Sequence, residues 1–575
     1  MSDSGQIFSS PSNRLALALA LGLLLLVAWV LLRGRGARWL FAAAFLPPPL
    51  VALFSQQFDF VGWHAFMHAS PIYQIMARGG APEDPLYAGG PLRYPWAEFW
   101  LTATAARWTG ANPLLLTLSA QTIAYLVFIV AAAWLASSVT DDRVTIGLAA
   151  LLSVFGVSSF HAGPLAEPMQ RAFSVWLETR VVPLDKFLSV TAMPIGYAAM
   201  LVASAGSVEL VARDDENRLR FAWIAAGTLV AVFIHPLSWL GILVIGAVCA
   251  LVLLVSRPPG VLRRVLGLAL AVGIPSAIAL PYLRSVGTSE SSQGSIGITR
   301  SLALFSNKAV DLGLFLTVFL LLAYVERAQL LQRLRERHRA TIVLLASIGS
   351  LSVAYLTVSA PGRNEYKFLL QLVPPAAAFL AIWLRSLLGR HRALALGLLF
   401  SLLLPGTQML GIRPWFEVTD PARIVGQYQR ALDPTVDELY QWVATQTPSD
   451  AVLIAGDLRM PPLGRRSLYI AVDAPWLGRD GWGLPRNSLL QWHVRRPDAD
   501  MYRRQSLATI VLSPDWSSPA EDVMRQIESA VPGRTLYVHS WSRLVSAKLD
   551  ATPGFARRFA NRAGSIYQWL GTTAI

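Results

Sequence analysis

Two groups of ionisable residues have the types and spacing to carry chemistry. Asp59 follows an apolar run and opens a long polar segment, and partial burial beside a membrane raises the pKa of such a carboxylate until it can take a proton from a hydroxyl. Arg363 and Lys367 are four residues apart in PGRNEYKF and share one face if a helix begins after Gly362. An arginine fork and a lysine point charge together suit a phosphate, and Glu365 would restrain one of the two cations.

Each group also has a simpler interpretation. Asp59 could be a solvated residue at a helix end, and the two cations could anchor the end of a span to lipid headgroups. Among the loops on the same predicted side of the membrane, however, positive charge near span ends is scarce. This scarcity favours a functional role for Arg363 and Lys367.

Further candidates for substrate binding lie outside the predicted membrane spans. They are Glu83, Asp84, Tyr94, Arg171, Arg180 and His235. The two acids could instead form a solvated turn, Tyr94 could belong to an interfacial aromatic belt, and the histidine before Pro236 could be a turn residue. The two arginines lie in a segment typical of a re-entrant piece, where ionisable groups usually line a cavity.

No motif indicates a metal or a cofactor. His64 and His68 are four residues apart without a placed third ligand, so packing at the interface explains them better than zinc does. The sequence has no GxxxxGK[ST], HExxH or GxSxG, which excludes an ATP-driven pump domain and the zinc and serine hydrolases that use those motifs. We predict no cofactor; a divalent metal is possible in principle but is not indicated.

The elements that must position these residues are membrane helices. Of the 575 residues, 54% are apolar and only 15% are charged, whereas soluble domains have about 25% charged residues. Since about 20 apolar residues cross a bilayer core, the sequence predicts twelve spans. They lie near 14–32, 39–55, 113–137, 144–160, 187–212, 221–234, 237–256, 265–284, 309–325, 340–358, 368–384 and 393–412.

The arginines predict which side each loop faces. The net charge is +14, and six short basic loops all fall on one side of a twelve-span chain. These loops should be cytoplasmic by the positive-inside rule. The first long loop, 56–112, and the C-terminal segment 413–575, called the tail below, then face outward. An arginine excess of this kind meets lipid phosphates, so we expect membrane lipids and not nucleic acid as its partners.

The domain organisation follows from a change in composition near residue 413. We predict a short N-terminal segment at 1–13, a transmembrane domain at 14–412 that includes loop 56–112, and an extracytoplasmic α/β domain at 413–575, which is the tail. Short β-rich runs such as AVLIAGD alternate there with helical patterns such as TVDELYQWVATQ. The fold class is an α-helical polytopic membrane protein with a small C-terminal α/β domain.

Several of these segments together resemble the polytopic GT-C glycosyltransferases, which include protein O-mannosyltransferases and aminoarabinose transferases. They are Asp59 at the start of the first outward loop, PEDPLYAGGPLRYPW, a late GRNEYKF, and a multispan body followed by ELYQWVATQTPSDAVLIAGD. The resemblance implies a polyprenyl-phosphate sugar donor, Asp59 as catalytic base, and Arg363 and Lys367 as contacts to the donor phosphate.

The predicted function is transfer of a sugar, with inversion, to a glycan, lipid or protein acceptor. It takes place at the outer face of a bacterial inner membrane, in the cell envelope. Two alternatives remain open. A carrier or scaffold for lipid-linked glycans would use the same cations but no base. A polysaccharide polymerase or ligase would share the topology but should have its large outward loop late in the chain, whereas here the long loop is early.

Overall fold

The structure is a computed structural model, and it describes part of the chain. The described residues are 37–45, 63–92, 94–111, 113–156, 187, 192–215, 217–286, 297–299, 301–360, 364–399, 402–403, 434–457, 460–471, 499–516 and 518–571.

Helices dominate these residues. In chain order they are α1 Ala37–Phe45, α2 Trp63–Arg78, α3 Ala97–Thr109, α4 Pro113–Ser137, α5 Arg143–Phe155, α6 Met193–Ala212, α7 Leu219–Ile234, α8 Pro236–Ser256, α9 Val261–Val286, α10 Leu302–Val325, α11 Arg327–Glu336, α12 His338–Thr357, α13 Tyr366–Arg390, α14 Pro434–Gln446, α15 Met460–Leu463, α16 Ala499–Leu512, α17 Ala520–Ala530 and α18 Arg543–Ala551. The strands are β1 Gly297–Ile298, β2 Val358–Ser359, β3 Val452–Ile454, β4 Ser467–Leu468, β5 Leu536–Ser540, β6 Phe555–Asn561 and β7 Gly564–Trp569.

The chain divides into two compact units. Unit 1 comprises Met1–Gln57, Leu118–Leu283 and Ile296–Asp420, and unit 2 comprises Phe58–Thr117, Arg284–Ser295 and Pro421–Ile575. The first long loop thus belongs to the same unit as the tail. The predicted boundaries near residues 13 and 413 lie outside the described residues and stay predictions.

Unit 1 is an integral membrane body. Within the described part of the chain, six helices are long and apolar enough to cross a bilayer: α4, α6, α8, α9, α12 and α13. The prediction of twelve spans is not confirmed. The run 144–160 shows one reason, because α5 ends at Phe155 after 13 residues, which is about 20 Å of helix against about 30 Å of hydrocarbon. The run 14–32 lies outside the described residues.

The core of unit 1 forms around α13, where every residue from Phe368 to Leu384 is buried. Phe379 and Trp383 pack with Phe319 of α10, with ring centroids 4.9 to 6.3 Å apart. In contrast, α9 exposes a stripe of large apolar residues: Leu262, Leu266, Leu270, Ile274 and Ile278. A stripe with a four-residue repeat on one helix face is what lipid contact requires of a peripheral span.

Unit 2 contains a five-stranded mixed sheet in the order β4-β3-β5-β7-β6. Strands β4, β3 and β5 are parallel, and β7 pairs antiparallel with β5 and β6. The apolar run Val452–Ile454 is fully buried in the middle of this sheet, and helices α14, α16, α17 and α18 contribute buried apolar residues to the same core.

The first loop completes the edge of this sheet. The backbone N–H of Ala88 donates to Leu468 O, Leu468 N–H donates to Pro85 O, and Ala471 N–H donates to Leu86 O. Leu86 and Ala88 are buried in the same core as the strands. The loop therefore covers β4, the edge strand, whose backbone groups would otherwise lack partners.

Candidate functional site

The predicted Lys367 lies at the start of α13 and contacts a histidine. Its Nζ is 3.1 Å from Nε2 of His235, a residue 132 positions earlier in the chain. His235 directly precedes Pro236, the first residue of α8. Proline suits this position because the first N–H of a helix has no partner inside the helix. An added Cβ at Gly196 of α6 would overlap the His235 side chain, so α6, α8 and α13 meet at this point.

His235 is held by contacts at both ring nitrogens. Nδ1 accepts from Ser238 N–H at 3.2 Å and lies 2.8 Å from Ser238 Oγ, while Nε2 lies 3.1 Å from Nζ of Lys367. Burial, together with the positive charge of Lys367, lowers the pKa of His235 well below its ordinary value. The ring is therefore neutral, and its Nε2 edge faces the side chain of Lys367.

The predicted Glu365 forms a buried ion pair with Lys308. Lys308 Nζ is 3.2 Å from Glu365 Oε1, and the two side chains are each 4% exposed. The same ammonium donates to Val358 O at 2.7 Å and to Thr299 Oγ1 at 3.0 Å, and Glu365 Oε2 accepts from Ala360 N–H at 3.1 Å. The pair thereby joins the β1–β2 ribbon to α10 and to the start of α13.

Glu365 also contacts the end of the β1–β2 ribbon. It accepts from Ala360 N–H, while residues 361–363 between them lie outside the described part of the chain. Glu365 was predicted to restrain Arg363 or Lys367, and its partner Lys308 was not predicted as a site residue. The available signal was the rarity of lysine, since Lys308 is one of only four lysines in the chain and directly precedes an apolar run.

The predicted Glu83 lies in unit 2 and is surrounded by donors. Oε1 accepts from Arg78 at 3.0 Å, Arg534 at 2.8 Å and Ser467 at 2.5 Å, and Oε2 accepts from Gly89 N–H at 2.9 Å. Burial alone would raise its pKa, but these hydrogen bonds and charges outweigh burial and lower the pKa to about 2.

Asp84 has the opposite electrostatics although it is the next residue. It is 1% exposed; Oδ1 accepts from Leu86 N–H at 2.8 Å, and Oδ2 has no partner among the described residues. Burial, reinforced by the charge of Glu83, raises its pKa to about 7. The interpretation of these two acids as a solvated turn is wrong, because the tail covers them.

A second buried carboxyl with a raised pKa lies on α3, and it was not predicted from the sequence. Glu98 is 3% exposed, and neither of its oxygens has a hydrogen-bond partner within the described part of the chain. Burial raises its pKa to about 7. Nearby in the chain, the predicted Tyr94 packs on Phe99 and His68, with centroids 6.0 and 5.6 Å away. This packing agrees with the aromatic interpretation of His68; the side chain of His64 is not described.

Four predicted site residues lie outside the described residues: Asp59, Arg171, Arg180 and Arg363. Their roles stay predictions. Among the residues that the structure does describe, no group of three or more His, Cys, Asp or Glu side chains is arranged to hold a metal ion. Glu365, Lys367 and His235 lie together in unit 1, whereas Glu83, Asp84 and Tyr94 belong to unit 2.

Two solved structures illustrate what this chain is similar to. ArnT from Cupriavidus metallidurans, solved with undecaprenyl phosphate, matches 93% of this chain and 98% of its own at 14% identity and a TM-score of 0.48. The oligosaccharyltransferase AglB from Archaeoglobus fulgidus, solved with an inhibitory peptide and a dolichol-phosphate, matches 94% of this chain and 75% of its own at 10% identity and a TM-score of 0.44.

No protein-family model and no curated protein sequence matches the chain.

Proposed function

We propose that this protein is a membrane glycosyltransferase that takes its sugar from a polyprenyl-phosphate-linked donor. The observation that carries the proposal is the ammonium of Lys367, which lies at the end of a span beside a neutral His235. A cation fixed where a span meets water suits a phosphate that stays tethered to a lipid tail. The Lys308–Glu365 pair supports the proposal because it fixes Glu365, two positions after Arg363, which we propose as a second cation for the same phosphate.

The proposed reaction is a single displacement at the anomeric carbon. The acceptor hydroxyl oxygen forms the new glycosidic bond as its proton passes to Asp59. The bond between the anomeric carbon and the phosphate oxygen breaks, and the electron pair leaves with the lipid phosphate. Lys367 and Arg363 stabilise the charge that develops there, and such fixed donors lower a barrier by a few kcal/mol each. One displacement inverts the anomeric configuration.

The remaining predicted residues divide between the two units. We propose a structural role for Glu83, because both of its oxygens are occupied by donors within unit 2. Asp84, largely protonated below pH 7, is better suited to donate a hydrogen bond than to bind a cation. Tyr94, Arg171 and Arg180 stay proposed contacts to the donor or acceptor.

The proposed location is the outer face of a bacterial inner membrane. The basic loops, assigned to the cytoplasm by the positive-inside rule, support this location. The tail then faces outward, and we propose that it helps to select the glycan, lipid or protein acceptor. Protease added to intact spheroplasts should cut the tail, and full protection would contradict this orientation.

The experiment supplies purified protein in lipid with a radiolabelled polyprenyl-phosphate sugar and an envelope extract as the acceptor source. Lys367→Ala should reduce transfer about a hundredfold, the usual loss for one fixed donor at developing charge. Asp59→Asn should abolish transfer but leave donor binding unchanged, because the base acts only in the chemical step. Arg335→Ala, on the exposed face of α11, removes one positive charge elsewhere and should change neither quantity.

Two outcomes would contradict the proposal. Full transfer by Lys367→Ala, in protein that folds normally, would remove this cation from the mechanism. Donor that binds in a Lys367-dependent way but is never consumed with any acceptor extract would favour the alternative of a carrier for lipid-linked glycans.

A further inference from the structure

A polar cavity lies at the other end of α6 from His235. It has a volume of about 330 Å³ and is lined by residues from four helices and their ends, including Ser138, Glu209, Arg213, Arg337 and Arg339. Here the candidate spans α4 and α6 end and α12 begins. The cavity therefore lies at the level of lipid headgroups, on the side of the body that carries basic loops.

The three guanidinium groups of this cavity differ in how many acceptors they contact. Arg339 donates twice to Asp214, at 2.7 Å each, and Arg337 pairs with Asp141. Arg213 contacts only Glu209, through Nε at 3.1 Å, so its two terminal nitrogens have no acceptor among the described residues. Arg213 is thus the cation with donors left for a ligand.

The carboxylate beside Arg213 is already neutralised from its other side. Glu209 Oε1 lies 3.4 Å from a nitrogen of the buried Arg220, and Glu209 Oε2 accepts from Trp134 Nε1 at 2.8 Å. Because Arg220 and Trp134 hold this carboxylate without Arg213, an incoming anion would not leave Glu209 unpaired. Arg213 can therefore turn to a ligand at little cost.

A buried hydroxyl also lacks a partner at this cavity. Ser138 is 8% exposed, and its Oγ makes no hydrogen bond with any residue that the structure describes. A buried polar group without a partner costs free energy, and a ligand oxygen in the cavity would supply the missing acceptor. The hydroxyl and the arginines together offer donors that suit a phosphate, and Glu336, a carboxylate of the lining, accepts from Gln332 Nε2 at 2.7 Å.

We propose that this cavity binds the phosphate of an anionic membrane lipid. The neighbouring helix α11 supports a lipid source. It has no buried residue, exposes Leu331, and carries Arg327, Arg333 and Arg335, as a helix lying on an anionic bilayer surface does. This site is separate from the proposed sugar transfer, and its test does not depend on that activity.

The test measures lipid retention by the full-length protein in detergent with native mass spectrometry. Phosphatidylglycerol is the probe, diacylglycerol is the lipid without phosphate, and inorganic phosphate is the free anion. Arg213→Gln should weaken binding of phosphatidylglycerol about tenfold, as expected for the loss of one charge-assisted contact. Arg213→Lys should restore part of it, and Ser138→Ala should also weaken binding. Arg543→Gln, the matched control on an exposed position of α18 in unit 2, should bind like the unmodified protein.

Three results would overturn the proposal. The first is equal retention of phosphatidylglycerol by the unmodified protein and Arg213→Gln, and the second is an equal loss in Arg543→Gln. The third is retention of diacylglycerol that matches that of phosphatidylglycerol. If Arg213 were needed for inorganic phosphate but not for phosphatidylglycerol, the lipid assignment would be wrong and free phosphate would be the ligand.

Discussion

Replacing Glu83 with glutamine should destabilise unit 2 far more than an exposed ion pair would suggest. Its pKa is lowered from 4.5 to about 2, which corresponds to about 3 kcal/mol of stability at neutral pH. The side chain is only 9% exposed, so solvent screens little of this. The amide keeps one acceptor oxygen but loses the charge that holds Arg534 and Arg78.

The pH dependence follows from the direction of this shift. A carboxylate with a lowered pKa contributes its full stability above its ordinary value of 4.5, and loses it as the pH falls toward 2. The difference between the unmodified protein and Glu83→Gln should therefore be about 3 kcal/mol at pH 7 and about 1 kcal/mol at pH 3.

The assay is hydrogen exchange of the full-length protein in detergent. Peptides covering 83–92 and 464–471 report opening where the loop meets β4. The control is Glu521→Gln, which breaks an exposed pair with Arg525 at 2.9 Å and should cost less than about 1 kcal/mol. An effect of Glu83→Gln no larger than that control, or a difference that persists unchanged at pH 3, would refute the reasoning.

Three further predictions concern other buried or capping groups. Asp84 has a raised pKa, so the folded protein loses stability as the pH rises above 3.8 toward about 7. In the same exchange assay, Asp84→Asn should be about 4 kcal/mol more stable than the unmodified protein at pH 8 and equally stable at pH 3. Lys308→Met leaves Glu365 buried without its cation and should cost about 3–5 kcal/mol in thermal unfolding, part of which the double variant with Glu365→Gln recovers; no recovery would argue against the pairing. Asp142 caps α5 by accepting from Val144 N–H and Thr145 N–H, so Asp142→Ala should lower the protection of 143–150 by about 1 kcal/mol, and an unchanged exchange rate would show that the cap contributes nothing.

Hydropathy was enough to predict the span helices of unit 1. The predicted run 368–384 lies inside α13, and the run 237–256 is α8 almost to the residue. These helices follow from local composition, since apolar side chains in lipid require a helix that satisfies its own backbone. A pattern of the same kind predicted 144–160 too long, because the backbone at Gly156 leaves the helical region.

Side-chain partners across the chain could not be predicted from composition. His235 was predicted as a substrate contact or a turn residue. It does precede the first residue of α8, but its burial against Lys367 was not predicted. Lys308 directly precedes an apolar run, and nothing near it in the sequence indicates a pairing with Glu365, 57 positions later. These pairs form only when the helices pack against each other, and a single sequence does not show which helices pack together.

The cover that residues 85–88 place over β4 has a consequence for how the protein is made. Ser467 and Glu83 are 384 positions apart, and the intervening chain includes the candidate spans of unit 1. During synthesis the loop emerges before these strands. Leu86 and Ala88 therefore lack the core they pack in until the strands have been made. A chain truncated before these strands would leave this apolar segment without its core, and we expect proteases to cut such a chain in its first loop.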